Sequence, residues 1–497
     1  MASTSTRPRY FGWTAALIVL AGLVLRVWAL GRASLWYDEI VTELYAQAPF
    51  SRFFTMVLEI GNHMPLYFAL MHLFPTSSEL WLRLPSALVG VAGIVVLMGV
   101  TVRLYKNYDL ALIAGGLLAF NPYHIWLSRT ARPYALLFVV SLLASYYFLL
   151  LLRGERTPRN WWLFTGWSMI TYMTHYPSMA LPLAQYILFA FILTGNRGFF
   201  RRWVRAQIVA GIPVVIWVIA LMRQEHVAFG IGWIPRPGPQ DIVLTLWNML
   251  VGYDGTLPWY VVPGLIAAAV GLGYGLYLAV RERKSERANF YWFWLIVAPL
   301  ALGFGVSLFR PLYVDRYFMV FLPALILLTV QGWMRFPLLQ PRGRVGLAAV
   351  VMVVGLASVL VTLQQGREEK EDWRSVTAYI AAQRQPGDGV LVEEPFNLVI
   401  FRRYSDDTSL PGAWLADGPP LSEQFPTSIR RVWAIYRNPN EDGHVQGVLP
   451  DFNPFKLGSS PMPDWLIPRR AQVIAQQEFN GVTVLLVDVS AGLGVSN

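Results

Sequence analysis

Eleven apolar windows, each close to the length that a helix needs to cross a lipid bilayer, divide this sequence, and short basic clusters mark many of the gaps between them. They run approximately 13–30, 81–103, 108–126, 133–152, 161–175, 177–194, 203–222, 258–280, 290–308, 315–334 and 345–363. Lipid offers no water to satisfy bare backbone groups, so a chain built this way is expected to fold as a polytopic all-α bundle. The windows 161–175 and 177–194 are short and meet at His175-Tyr176-Pro177, which sets the expected number of transmembrane helices at about 11–13. Composition agrees, with 55% hydrophobic and only 14% charged residues and a mean hydropathy of +0.44. The apolar run 12–30 is too long for a signal peptide and lacks a small-x-small cleavage site, so it reads as a retained first span.

The basic clusters fix an orientation. With the N-terminus inside, one side holds Arg7 and Arg9; Arg103 and Lys106; Arg153, Arg156 and Arg159; Arg197, Arg201, Arg202 and Arg205; Arg281, Arg283, Lys284 and Arg287; and Arg335, Arg342 and Arg344. Asp38, Glu39, Glu43, Glu59, Glu79, Glu225, Asp241, Asp254 and Asp315 fall on the other. The net charge of +10 therefore reads as a topology signal, with no nucleic-acid partner implied. The absence of cysteine excludes a disulfide framework, a thiolate nucleophile and any Cys-based metal site.

Two stretches break the pattern. Residues 31–80 carry apolar runs of only about a dozen residues, suited to helices lying in the interface. From Gln364 the text turns into charged loop, amphipathic helix, a Pro-Gly-Asp turn and strand-like runs. The expected organisation is a transmembrane domain over 1–363 and a small extracytoplasmic α/β domain over 364–497.

Chemistry-bearing residues gather on the side that lacks the basic clusters. In "GRASLWYDEIVTELY" the pair Asp38 and Glu39 reads either as a helix cap or as a general base or metal-holding carboxylate, and adjacent helical residues diverge by about 100°. His63 sits in "GNHMP", where the chain must turn, and is suited to bonding a sugar or phosphate oxygen; His72 reads as packed. In "NPYHIWLSRTARPYALLF", Arg129 and Arg132 are spaced to share a helical face, and guanidinium groups suit phosphate, although arginines at span ends also snorkel to headgroups. Tyr134 and His124 lie beside them. In "FRPLYVDRYFMVFLPALILL", Asp315 is expected to pair with Arg316, itself a second phosphate candidate.

Taken in order, "LWYDEI", "NHMPLYFALMHLF", "LWLRLPSALVG", "NPYHIWLSRTARPYALL", "DRYFMVFLPALILL" and "EDWRSVTAYIAAQRQPGD" resemble the GT-C glycosyltransferases, in the branch of the protein O-mannosyltransferases and the lipid A aminoarabinose transferase (glycosyltransferase family 39 type). The resemblance implies a multi-helix membrane fold with interfacial helices in the first outer loop. It also implies inverting transfer of a sugar from a polyprenyl-phosphate donor to a hydroxyl on a lipid, glycan or protein, at the outer face of the cytoplasmic membrane. Catalysis would map onto Asp38 and Glu39, and carrier-phosphate binding onto Arg129 or Arg132 ahead of Arg316; His63 and Tyr134 join the binding candidates by residue type and position alone. The sequence departs from the aminoarabinose transferase in having Asn62-His63-Met64-Pro65 where that branch has Glu-Lys-Pro, which bears on any divalent metal at this position, Asp38 and Glu39 being the ligands such a metal would take. A lipid or polysaccharide transporter accounts for the spans but not for the carboxylate pair in one outer loop, and the chain shows no duplicated halves.

Overall fold

The hydrophobic windows become helices because every backbone group in lipid must be satisfied within its own segment. The computed structural model describes residues 8–60, 63–191, 196–224, 234–252, 258–364, 371–406, 409–414, 424–426, 428–437 and 472–489; Glu225, Asp254 and Asn62 lie outside them. The chain divides into two units, Met1–Leu30 with Thr42–Val361, and Gly31–Val41 with Thr362–Asn497.

In the first unit, eight described helices are long and apolar enough to cross a membrane: Arg9–Val27, Glu79–Tyr105, Tyr134–Leu152, Arg197–Met222, Trp259–Arg281, Arg287–Ser307, Asp315–Arg335 and Pro341–Gln364. A ninth crossing arises if Tyr108–Ala119 and Pro122–Ser128, bent by 60° at their junction, form one broken span. The remaining two windows are helices of 17 and 12 residues, Pro158–Thr174 and Ala180–Phe191. At 1.5 Å per residue they reach only about 25 and 18 Å, short of a perpendicular crossing. The protein is a multi-pass membrane protein. The loop after the first span holds the short helices Tyr37–Gln47, Phe50–Ile60 and Pro65–Met71.

The broken span is held by a buried cation. Breaking a helix at Phe120-Asn121 frees the carbonyls of Leu118 and Ala119 inside the protein. Arg26, fully buried on the first span, donates to both through Nη2 and Nη1 at 2.9 and 3.1 Å. The same guanidinium bonds Gly22 O at 3.0 Å and His124 Nδ1 at 2.8 Å. Asn121 accepts from the His124 amide at 2.7 Å and donates to Met249 O at 2.7 Å, capping the second half-helix on one side and anchoring it on the other. Gly90 makes room for the crossing, since a Cβ there would lie 2.3 Å from Ser128 Oγ. Small residues serve elsewhere too: a Cβ on Gly332 would meet Gly271 O at 1.8 Å, so the helices Val262–Arg281 and Leu322–Arg335 touch backbone to backbone.

The second unit contains a five-stranded sheet, β1 (Asp388–Val392), β2 (Gly412–Trp414), β3 (Arg431–Arg437), β4 (Gln472–Phe479) and β5 (Val482–Asp488), in the order β2-β1-β3-β5-β4. The pairs β1/β2 and β1/β3 are parallel, whereas β3/β5 and β4/β5 are antiparallel. Asp388 opens β1 and accepts from both Arg431 Nε and Nη2 at 2.8 and 2.7 Å, and from Trp433 Nε1 at 2.9 Å. That fork pins the register of β1 on β3. Helices Trp373–Gln383 and Pro395–Tyr404 flank β1 in sequence.

Candidate functional site

Within the first unit, His63 and Arg132 come together although 69 positions separate them, with Arg132 Nη2 2.9 Å from His63 Nε2. An arginine only donates, so Nε2 is the accepting nitrogen and the ring proton sits on Nδ1, 3.4 Å from Tyr45 Oη. The guanidinium of Arg132 also lies over the Phe68 ring, 5.6 Å from its centroid. Tyr176 Oη donates to His63 O at 3.3 Å and receives Trp217 Nε1 at 3.2 Å, fixing the turn that carries the histidine.

The two arginines of "SRTARP" do not share a helical face. The preceding helix Pro122–Ser128 ends before Arg129, and Pro133 disfavours helical backbone at Arg132. Their side chains accordingly diverge. Arg129 Nη1 donates to Leu25 O and Trp28 O at 3.2 and 2.7 Å, the unsatisfied carbonyls at the end of the first span. Arg83 Nη1 continues this grip on Leu30 O at 3.1 Å. Between them Ala29 takes φ 51°, a left-handed conformation that a non-glycine residue holds only when its surroundings enforce it.

Tyr134 and the neighbourhood of Arg316 are joined by an aromatic chain. The Tyr134 ring lies 5.6 Å from His175, and His175 lies 5.2 Å from Tyr317. Arg316 is buried in the turn Asp315–Phe321. Asp315 accepts from the Arg316 backbone amide at 2.6 Å and from Asn248 Nδ2 at 3.2 Å, so its contact with Arg316 includes the main chain. His124 is committed to Arg26, and His72 bonds the carbonyls of Phe68 and Ala48, both at 3.2 Å. Tyr45, His175 and Tyr176 escaped sequence reasoning. The turn "HYP" on the side without basic clusters, echoing "HMP", was the signal available for the last two.

The acidic pair belongs to the second unit. Asp38 and Glu39 occupy the first turn of Tyr37–Gln47, where carboxylates complement the helix dipole. Asp38 is half-buried and Glu39 fully buried, as the divergence of neighbouring helical positions requires. Among the described residues no three His, Asp or Glu side chains are grouped to hold a metal ion.

Close to this turn lies a titratable group outside the spans. Burial pushes the Glu393 carboxyl up to about 7 against the lowering pull of Arg437, whose amide donates to it at 3.4 Å. A carboxyl whose folded value is raised contributes stability that is fully present below its unfolded value and is lost as pH climbs through about 7. Changing Glu393 to Gln is thus expected to protect the sheet amides by about 1–2 kcal/mol at pH 8 relative to wild type, and to do nothing at pH 4. Hydrogen exchange of the full chain, corrected for intrinsic rates, measures this.

The sequence profile of the family described as dolichyl-phosphate-mannose-protein mannosyltransferase matches residues 63–221, a span that contains His63, Arg129, Arg132 and Tyr134 but not the acidic pair. No curated protein sequence matches the chain. The fold is similar to that of ArnT from Cupriavidus metallidurans in the apo state, with a TM-score of 0.61 and 17% identity over 98% of this chain and 99% of that one. The structure of the same protein bound to undecaprenyl phosphate gives 0.60 and 16% identity, over 98% and 100%. The oligosaccharyltransferase AglB from Archaeoglobus fulgidus, solved with an inhibitory peptide and a dolichol-phosphate, gives 0.51 and 10% identity over 86% of this chain and 69% of that one.

Proposed function

We propose that this chain, which has the GT-C glycosyltransferase fold, transfers a sugar from a polyprenyl-phosphate-linked donor to a hydroxyl on a lipid, glycan or protein, with inversion at the anomeric carbon. The reaction takes place at the outer face of the cytoplasmic membrane, with the N-terminus cytoplasmic and the C-terminal unit outside, as the basic clusters favour. The observation that carries this reading is the end-to-end likeness to ArnT, a protein also solved with undecaprenyl phosphate bound.

In this mechanism Asp38 takes the proton of the acceptor hydroxyl as its oxygen forms a bond to the anomeric carbon. The bond from that carbon to the phosphate oxygen breaks, and its electron pair leaves with the polyprenyl phosphate. Arg132 meets the charge that grows on the phosphate, steadied by His63, whose neutral ring holds the guanidinium without competing charge. Arg316, Tyr134 and Arg129 supply further donors, Arg129 while holding the end of the first span in place. Glu39, buried beside Asp38, supports the turn.

Binding of undecaprenyl phosphate to the purified full chain tests the phosphate assignment. Changing Arg132 to Ala is expected to weaken binding about 10- to 100-fold, the worth of one or two charge-assisted hydrogen bonds. The His63→Gln variant, which keeps an acceptor for the arginine, is expected to lose less than tenfold. Wild-type affinity in Arg132→Ala would remove Arg132 from the phosphate site.

A further inference from the structure

The helix that begins with the acidic pair follows Trp36, whose indole donates a hydrogen bond but cannot accept one from the amides of a first turn. The amide of Tyr37 instead donates to Glu371 Oε2 at 3.2 Å, across 334 positions of sequence. Glu371 is buried, and the same oxygen accepts Trp373 Nε1 at 2.7 Å. Its other oxygen accepts Arg437 Nε at 2.8 Å. Arg437, at the end of β3, closes the arrangement by lying over the Tyr37 ring, 4.5 Å from its centroid.

The residues upstream are tied in the same manner. Tyr404 Oη accepts from the Leu35 amide at 2.6 Å, Arg374 N donates to Ser34 Oγ at 3.3 Å, and the Arg374 guanidinium donates to Arg32 O. The Tyr37 ring also meets Phe396 edge-on at 5.7 Å. All these partners lie in the second unit with the segment Gly31–Val41. Packing alone does not call for a buried carboxylate that divides its two oxygens between a sheet arginine and the first amide of a remote helix. Such an arrangement sets the rotation of that first turn, and Asp38 is the next residue.

We propose that Glu371 and Arg437 are positioning residues for Asp38, acting as a cap supplied from the C-terminal unit, so that the orientation of the base depends on the integrity of that unit. The inference rests on the assignment of Asp38 as base. Glu371 touches neither donor nor acceptor in this scheme and works through the Tyr37 amide, with Arg437 working through Glu371 and the Tyr37 ring.

Two readouts on the full chain test it. In Glu371→Ala, amide exchange across residues 36–40 is expected to accelerate at least tenfold while the amides of β3 and β5 keep their protection. Turnover, read as polyprenyl phosphate released from a lipid extract of the host membranes, is expected to fall at least tenfold at an unchanged half-saturating concentration. Glu371→Gln retains an acceptor for Tyr37, and Arg437→Lys retains the charge, so both are expected to fall between wild type and Glu371→Ala; they also serve where the alanine variant does not fold. Unchanged exchange at 36–40 in these variants overturns the proposal. Loss of protection spread equally over the sheet also overturns it, because it marks a role in folding only. Absence of release by the wild-type chain would instead count against the transferase reading, and the exchange data would still decide the cap.

Discussion

Sugar transfer is expected to fall by about 10²- to 10⁴-fold when Asp38 is changed to Asn, with undecaprenyl phosphate binding held within about twofold of wild type. Asparagine matches aspartate in shape and is at home at a helix start, so the turn that Glu371 caps is expected to survive the change. What it cannot do is take a proton from the attacking hydroxyl. The loss should therefore appear in turnover and not in donor affinity, which separates a base from a binding group. Glu39→Gln is the control. Glu39 is buried where Asp38 is half-buried, so its neutralisation is expected to cost less turnover. The opposite ranking would move the base to Glu39, and wild-type turnover in both variants would remove the pair from the chemistry.

The second large effect lies away from the chemistry. Replacing Arg26 with Leu is expected to destabilise the membrane unit by about 3–5 kcal/mol, the cost of two or three buried acceptors losing a donor, seen as a lower unfolding temperature in detergent. One guanidinium satisfies Gly22 O, Leu118 O, Ala119 O and His124 Nδ1. Leucine takes the guanidinium away from Ala119 O and leaves Leu118 O with only long backbone contacts such as the Asn121 amide at 3.4 Å, where lipid and packed side chains offer no substitute. Lysine has three donors for those four acceptors, so Arg26→Lys is expected to lose less. An unchanged unfolding temperature in Arg26→Leu would mean that other groups hold the broken span.

Much of the bundle was legible because lipid imposes a simple rule, sustained hydrophobicity with polar gaps, and the windows of the sequence all became helices. The break at Phe120-Asn121 was harder to see, since the apolar run continues across it and only Asn-Pro marks it. Arg26 is a single charge inside a window that passes as an ordinary span. The site was legible residue by residue and less so in its pairings. His63 and Arg132 could be named from their types and their side of the membrane, yet their contact depends on how the first loop folds back across 69 positions. Arg129 and Arg132 looked equivalent by spacing, and the proline that follows them sends the two side chains apart. The cap on Tyr37 was invisible for the same reason in stronger form. Local sequence shows a helix start without a capping residue, and the residue that supplies one lies in another part of the chain.

Mass analysis of envelope glycolipids and glycans tests the central claim most directly, in cells lacking this chain and in cells restored with either the wild type or Asp38→Asn. The transferase reading predicts one sugar-bearing species that is present with the wild type, missing without the chain, and still missing with Asp38→Asn, while the polyprenyl-phosphate-linked sugar accumulates. An unchanged set of glycans in cells without the chain, or full restoration by Asp38→Asn, would contradict it.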